Sequence, residues 1–377
     1  MAKQKSYIPG THPDLPPPRS EAGILGWMRQ NLFATWSDTL LTLFGLYVIY
    51  SFLPGIMDWM FLDAVWSASS RKECWAAMSE PAAGACWAFI AVRLNQFLYG
   101  FYPSEELWRV NLSFVLLLAA LAPVLFDKVP GRKYLFWLTA LFPFIAGWLI
   151  FGGFGLAPVD TVKIGGVALT LVIGVTGIAF SLPAGILLAL GRTSNLPVLK
   201  MLCVIFIEFI RGVPLIALLF IASTMLNYFL PPGTTFDLLV RVLIMVSLFA
   251  SAYMAEVIRG GLAGIPKGQI EAANAAGLTY WQTMYLITMP QVLKISIPGI
   301  VNTFIGLFKD TTLVVVIGMF DTLGMGRAAL ADATWIGLTR EVYIFIAIFF
   351  FICCQSMSLY SNYLERKLDT ENKFQKK

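Results

Sequence analysis

The sequence predicts an all-α polytopic membrane protein with about eight transmembrane helices. Three observations carry that prediction. Of 377 residues, 58% are hydrophobic and only 13% charged, against about 25% charged in an ordinary soluble domain. Mean hydropathy is +0.74. Several stretches reach the roughly 20 apolar residues that cross a bilayer core, and the run 165–190 has no charged side chain. In hydrocarbon such stretches must close their own backbone hydrogen bonds, which makes them helices.

In chain order the apolar runs place spans at 38–56, 109–126, 134–151, 165–190, 200–222, 239–258, 295–318 and 342–363. Residues 1–36 read as a cytoplasmic Pro-rich tail, with Pro13, Pro16, Pro17 and Pro18 and no cleavable signal peptide. An even number of spans puts both termini on one side. Basic residues mark it as cytoplasmic: Lys3, Lys5, Arg19 and Arg29 before the first span, and a basic tail over 367–377. The loops agree. Lys128, Arg132, Lys133, Arg192, Lys200, Arg259 and Lys267 all fall inside, whereas the outside loop 57–108 has six acidic residues against three basic ones. Because the basic residues are dispersed over short loops, the net charge of +5 reads as membrane topology and not as a nucleic-acid surface.

The string 84–102 is apolar but interrupted by Arg93, Asn95 and Gln96. Counted as a span it would put one terminus outside, so it reads as an interfacial or re-entrant helix. Cys203, Cys353 and Cys354 fall within spans and read as small apolar packing groups. Cys74 and Cys86 lie in the outside loop, where an oxidising compartment permits a disulfide; two free thiols are the other reading.

One loop has a spaced pattern. Between two spans the chain reads Glu271, Ala272, Ala273, then Gly277, Ile287 and Pro290. Pro266 suits a helix start, Glu271 the favourable end of the helix dipole, and Gly277 a left-handed helix end. The alanines give a slim helix able to enter a cleft on a partner. This pattern resembles the EAA loop of permease subunits of ABC importers, with Met289 replacing the usual Leu. A narrower resemblance, to the polar amino acid permeases of the histidine, arginine and glutamine type, rests on GVALTL at 166–171, EFIRGVPL at 208–215, AYMAEVIRGG at 252–261 with Gly268 and Gln269, and KDTT at 309–312 followed by Leu313.

The resemblance implies a type I permease core of five helices over 161–366, its EAA loop at 259–290, preceded by a three-helix extension over 37–160. Such an extended form is similar to one of the two permeases of the general L-amino-acid importer, which implies broad specificity. The implied location is the bacterial inner membrane. The implied partners are a dimer of ATP-binding subunits, a second homologous permease, a periplasmic amino-acid-binding protein and the lipid bilayer. ATP and Mg would be bound by the ATP-binding subunits and nothing by this chain, which has no G-x-x-x-x-G-K-[ST] pattern. The single histidine, His12, lies in the tail, so no histidine-based catalysis is expected and the chain reads as a transporter and not an enzyme.

Charges in or near the spans are costly and face protein or water. Glu208 with Arg211, and Glu256 with Arg259, stand three apart and can pair on one helix face, while Pro214 kinks its helix. Adjacent Lys309 and Asp310 cannot pair so simply, since neighbouring residues diverge by about 100°. These groups read as interhelical ion pairs or as groups snorkelling to the interface, with Glu208, Arg211, Glu256, Arg259 and Lys309 toward the cytoplasmic ends of the spans; gate or substrate-path groups are the other reading. Thr170, Thr176, Ser181, Ser247 and Thr303 are candidates for the substrate path. The rival function is an ion-coupled secondary amino acid transporter, which would need midplane carboxylates or broken-helix ion sites.

Overall fold

The computed structural model describes residues 23–225, 228, 231 and 236–368. The cluster of prolines at 13–18 and the last basic residues of the chain lie outside the described residues. Among these residues the chain is helical, with only isolated β-bridges and no strand. It divides into two compact units.

The first unit comprises the described residues up to Ser67 together with Lys72–Cys86. It holds α1 (Gly23–Asn31) and α2 (Trp36–Met57). Thr35 opens α2 with a capping box: its hydroxyl oxygen accepts from the Asp38 N–H while the Asp38 carboxylate accepts from the Thr35 N–H. A π-turn, Asp58–Leu62, prolongs α2 into a 27-residue span. Beyond it comes α3 (Arg71–Ala76), and Cys74 is bonded to Cys86 with both residues fully buried.

The second unit holds the rest. α4 (Trp87–Tyr99) has 13 residues, too few to cross a bilayer. It buries Phe89 and Phe97, which meet Trp335 and Phe345 with ring centroids 5.4 and 5.1 Å apart, and its Arg93 pairs with Asp332. Next come α5 (Leu107–Leu125) and α6 (Arg132–Phe151), which form a hairpin. They are followed by α7 (Gly166–Thr193), α8 (Pro197–Gly212), α9 (Leu215–Phe220) and α10 (Leu238–Ala263). The chain ends through α11 (Lys267–Ala275), α12 (Tyr280–Thr283), α13 (Met289–Asp310), α14 (Thr322–Ala329) and α15 (Thr339–Leu368).

Among the described residues, seven helical stretches are long and apolar enough to cross a membrane, and α8 with α9 makes an eighth if that bent pair is one span. The bend there is 102°, a break where the sequence predicts a kink. Val213 is extended, as a residue before proline prefers, and Pro214 cannot donate to continue the helix.

The long α7, uncharged until Arg192 in its last turn, is the centre of the second unit and packs along α10. Small residues make that approach possible, as between helices in lipid. A methyl group on Gly185 would stand 2.6 Å from the Met254 side chain, and one on Gly177 would stand 2.9 Å from Leu307 of α13.

Candidate ATPase-coupling site and charged network

α11 is the loop pattern made solid. Pro266 is its N-cap and Lys267 its first residue, so the proline sits one position before the expected first turn and Glu271 lies in the second turn. The C-terminus is closed as its sequence requires. Gly277 takes φ +77°, its N–H donates to Asn274 O at 3.0 Å, and the Leu278 N–H donates back to Ala273 O at 3.1 Å, a left-handed Schellman closure. Thr279 then opens α12 through a capping box with Gln282.

Ala273 is buried, 3% exposed, and holds α11 against the body of the unit, whereas Gly268, Gln269, Glu271, Ala272, Ala275 and Ala276 are exposed. The outcome is a short, slim helix offering small side chains to the outside. Ile287 and Pro290 lie after it: Met284–Thr288 is a π-turn that leads without a break into α13, whose second residue is Pro290.

Toward the end of α10, before the chain enters this loop, three helices share one ionic cluster. Glu256 of α10 lies 2.7 Å from Arg192 of α7, accepts from Arg259 at 3.0 Å, and is 3.6 Å from Arg211 of α8. Glu208 does not turn to Arg211; it lies 2.8 Å from the same Arg192 nitrogen. Arg192 is thus a hub between α7, α8 and α10. In the sequence it stands out only as a loop-side topology charge, yet it is the single charge ending a 28-residue apolar helix. Arg211 also lies over the Tyr253 ring, 5.7 Å from its centroid.

Lys309 and Asp310 stand apart from this cluster. Their neighbours Leu307 and Phe308 pack at Gly177 and Gly174, in the half of α7 remote from Arg192. α13 enters from the α11 loop and has run through most of its length by residue 309, so Lys309 and Asp310 lie at the end of α13 far from that loop, whereas the sequence reading groups Lys309 with the charges of the Glu256 cluster.

The polar candidates for a path are dispersed. Thr170 is fully buried, with its Oγ1 2.8 Å from that of Thr322, and Ser181 and Ser247 are also buried in helix packing. Thr176 is half-buried on the side of the α5–α6 hairpin, and Thr303 is half-buried and donates to Gly299 O at 2.8 Å. Beside Thr322, Asp321 is fully buried and caps α14, accepting from Leu323 and Gly324. Burial pushes its carboxyl up to about 6, against the opposing pull of those two N–H groups and of Arg327.

Residues 181–370 match the family described as binding-protein-dependent transport system inner membrane component. The chain belongs to that family. It is 48% identical to the glutamate/glutamine/aspartate/asparagine transport system permease BztC of Rhodobacter capsulatus, over 95% of this chain and 96% of that one. It is 46% identical to the inner membrane amino-acid ABC transporter permease YhdY of Escherichia coli, over 96% and 97%. A shorter relative, a probable glutamine ABC transporter permease of Bacillus subtilis, is 34% identical over 53% of this chain and 90% of its own length. The chain is accordingly a membrane-embedded permease subunit of the ABC type, and ATP hydrolysis belongs to separate subunits. The ion-coupled reading finds no support in these relatives.

Proposed function

We propose that this chain forms one half of the translocation path of an ATP-driven importer for amino acids, with broad specificity across L-amino acids. The substrate class follows from the relatives that match over nearly the whole chain. In this reading a second homologous permease completes the path, a dimer of ATP-binding subunits carries ATP and Mg, and a periplasmic amino-acid-binding protein delivers the substrate. Both termini lie in the cytoplasm of a bacterial inner membrane.

The observation that carries the proposal is α11. An exposed helix of small residues, held by Ala273 and closed by Gly277, sits between two spans. Closure of the ATP-binding subunits on that helix would move α10 and α13 directly, since they flank it, and the Glu256 cluster would pass the motion to α7 and α8. Of the path candidates Thr303 is favoured: Thr170, Ser181 and Ser247 are enclosed, and Thr176 faces the hairpin.

Affinity purification of the tagged chain in mild detergent tests the assembly. Recovery of a homologous permease and an ATP-binding subunit, with glutamate uptake competed by several unlike L-amino acids, is the expected result. Recovery of the chain alone, with uptake driven by an ion gradient, would overturn it.

A further inference from the structure

We propose that an apolar groove of about 420 Å³ between the α5–α6 hairpin and α7 is a binding site for one acyl chain of a bilayer lipid. The hairpin is fastened to its surroundings at its two ends. At one end Arg109 donates to Ala157 O at 2.7 Å, and the Phe101 N–H donates to Lys163 O at 3.1 Å just before α7 begins. At the other end Tyr360 donates to Leu125 O at 2.9 Å, and Lys367 pairs with Asp127. Between these ties α5 and α6 pack closely on each other, but neither packs along α7 over any length. The groove is the space left between.

Its walls decide the occupant. No lining residue is charged, and Ser113 and Thr176 are the only hydroxyls there. The Ser113 hydroxyl is already used, donating to Arg109 O at 2.9 Å. A zwitterionic amino acid would leave both charges unpaired at a cost of several kcal/mol. Water needs two to four polar partners, which this space does not offer. Left empty, it would forfeit the dispersion contacts of its lining.

The four helices that line it, α5, α6, α7 and, through Leu243, α10, are all long and apolar enough to be spans, so the liquid at this depth is hydrocarbon. Phe180 at the rim is 51% exposed, which opens the groove sideways to it. Ala146 and Phe151 of α6 and Val172 and Thr176 of α7 lie in the halves of their helices nearest the 152–165 connection. The chain therefore comes from the leaflet on that side, the outer one in the orientation proposed above. The hairpin lies outside the residues 181–370 shared with the family, and the groove exists because the hairpin is there. A resident acyl chain would fill the joint between the extension and the core.

The test is photolabelling of the assembled transporter in phosphatidylethanolamine and phosphatidylglycerol vesicles doped with a phospholipid bearing a diazirine on its acyl chain. Labelled peptides are mapped by mass spectrometry. Residues 142–151 and 171–183 should label about tenfold more strongly than the exposed Phe351 and Ile352 face of α15. Thr176→Phe and Gly147→Leu, which fill the groove from opposite walls, should each bring that labelling down to the α15 level. Equal labelling of α15 and the groove in the unmodified protein would overturn the proposal, and would do so even if neither variant assembles. So would labelling that survives both fillings, or a protein crosslink there in place of lipid.

Discussion

Arg192, in the last turn of α7, lies 2.7 Å from Glu256 of α10 and 2.8 Å from Glu208 of α8. One guanidinium thus ties together α7, α8 and α10. The two carboxylates are not equivalent, since the Glu256 side chain is 17% exposed and that of Glu208 is 54%.

Glu256→Gln should therefore cost about 2 kcal/mol, because it leaves Arg192, Arg211 and Arg259 crowded without their shared anion. Glu208→Gln should stay within about 0.5 kcal/mol, as exposed pairs do. Thermal unfolding of the purified assembly measures both. Equal shifts would show that the cluster is not centred on Glu256.

Gly277 adopts φ +77°, and a methyl group added there would meet nothing within 4 Å. Its replacement is thus a test of backbone conformation alone. Gly277→Ala should cost about 1 kcal/mol and speed amide exchange across α11 about fivefold, with Gly277→Asn milder because asparagine tolerates the left-handed region. Unchanged exchange in the alanine variant would remove Gly277 as the stop of α11.

Asp321 gives a pH dependence. Its carboxyl rises from 3.8 unfolded to about 6 folded, so the folded state holds the proton more tightly. Its contribution to stability is complete below about pH 4 and is lost as pH rises through about 6, by at most about 3 kcal/mol. Asp321→Asn keeps an acceptor for the Leu323 and Gly324 N–H groups without the charge. The unmodified protein should lose stability between pH 4 and 7 relative to this variant, measured by denaturation at each pH. Parallel curves would contradict the assignment.

The Cys74–Cys86 bond closes a short loop, with the two residues 12 apart. Its loss removes a constraint on the unfolded chain of about 3 kcal/mol. Reductant, or the double replacement Cys74→Ser with Cys86→Ser, should speed proteolytic cleavage within 72–86 severalfold. Cleavage at an unchanged rate would show that the bridge does not hold this segment.

Much of this was legible in the sequence, for identifiable reasons. Spans such as Gly166–Thr193 announce themselves because hydrocarbon imposes length and apolarity on a continuous string. The α11 loop was legible because its start at Pro266, its slim face and its stop at Gly277 are all local. Arg192 was not, because its role depends on Glu208 and Glu256 arriving from two other helices. Glu208 and Arg211 satisfied the spacing rule for a pair, yet Arg192 offered the carboxylate a nearer partner. At Pro214 the sequence predicts a kink and no more, because local rules fix the defect but not the 102° that packing gives it. The Thr170–Thr322 contact joins residues 152 apart, beyond any local pattern.

In the function proposed above, the exposed face of α11 couples this permease to ATP-binding subunits. Ala275 is on that face, and Ala275→Trp adds bulk there without touching the buried Ala273. The most direct measurement is ATP-dependent amino acid uptake in proteoliposomes containing the complete transporter. At least a tenfold loss is expected, equivalent to about 1.4 kcal/mol of coupling, with the permease still folded. Uptake by Ala275→Trp equal to that of the unmodified transporter would contradict it.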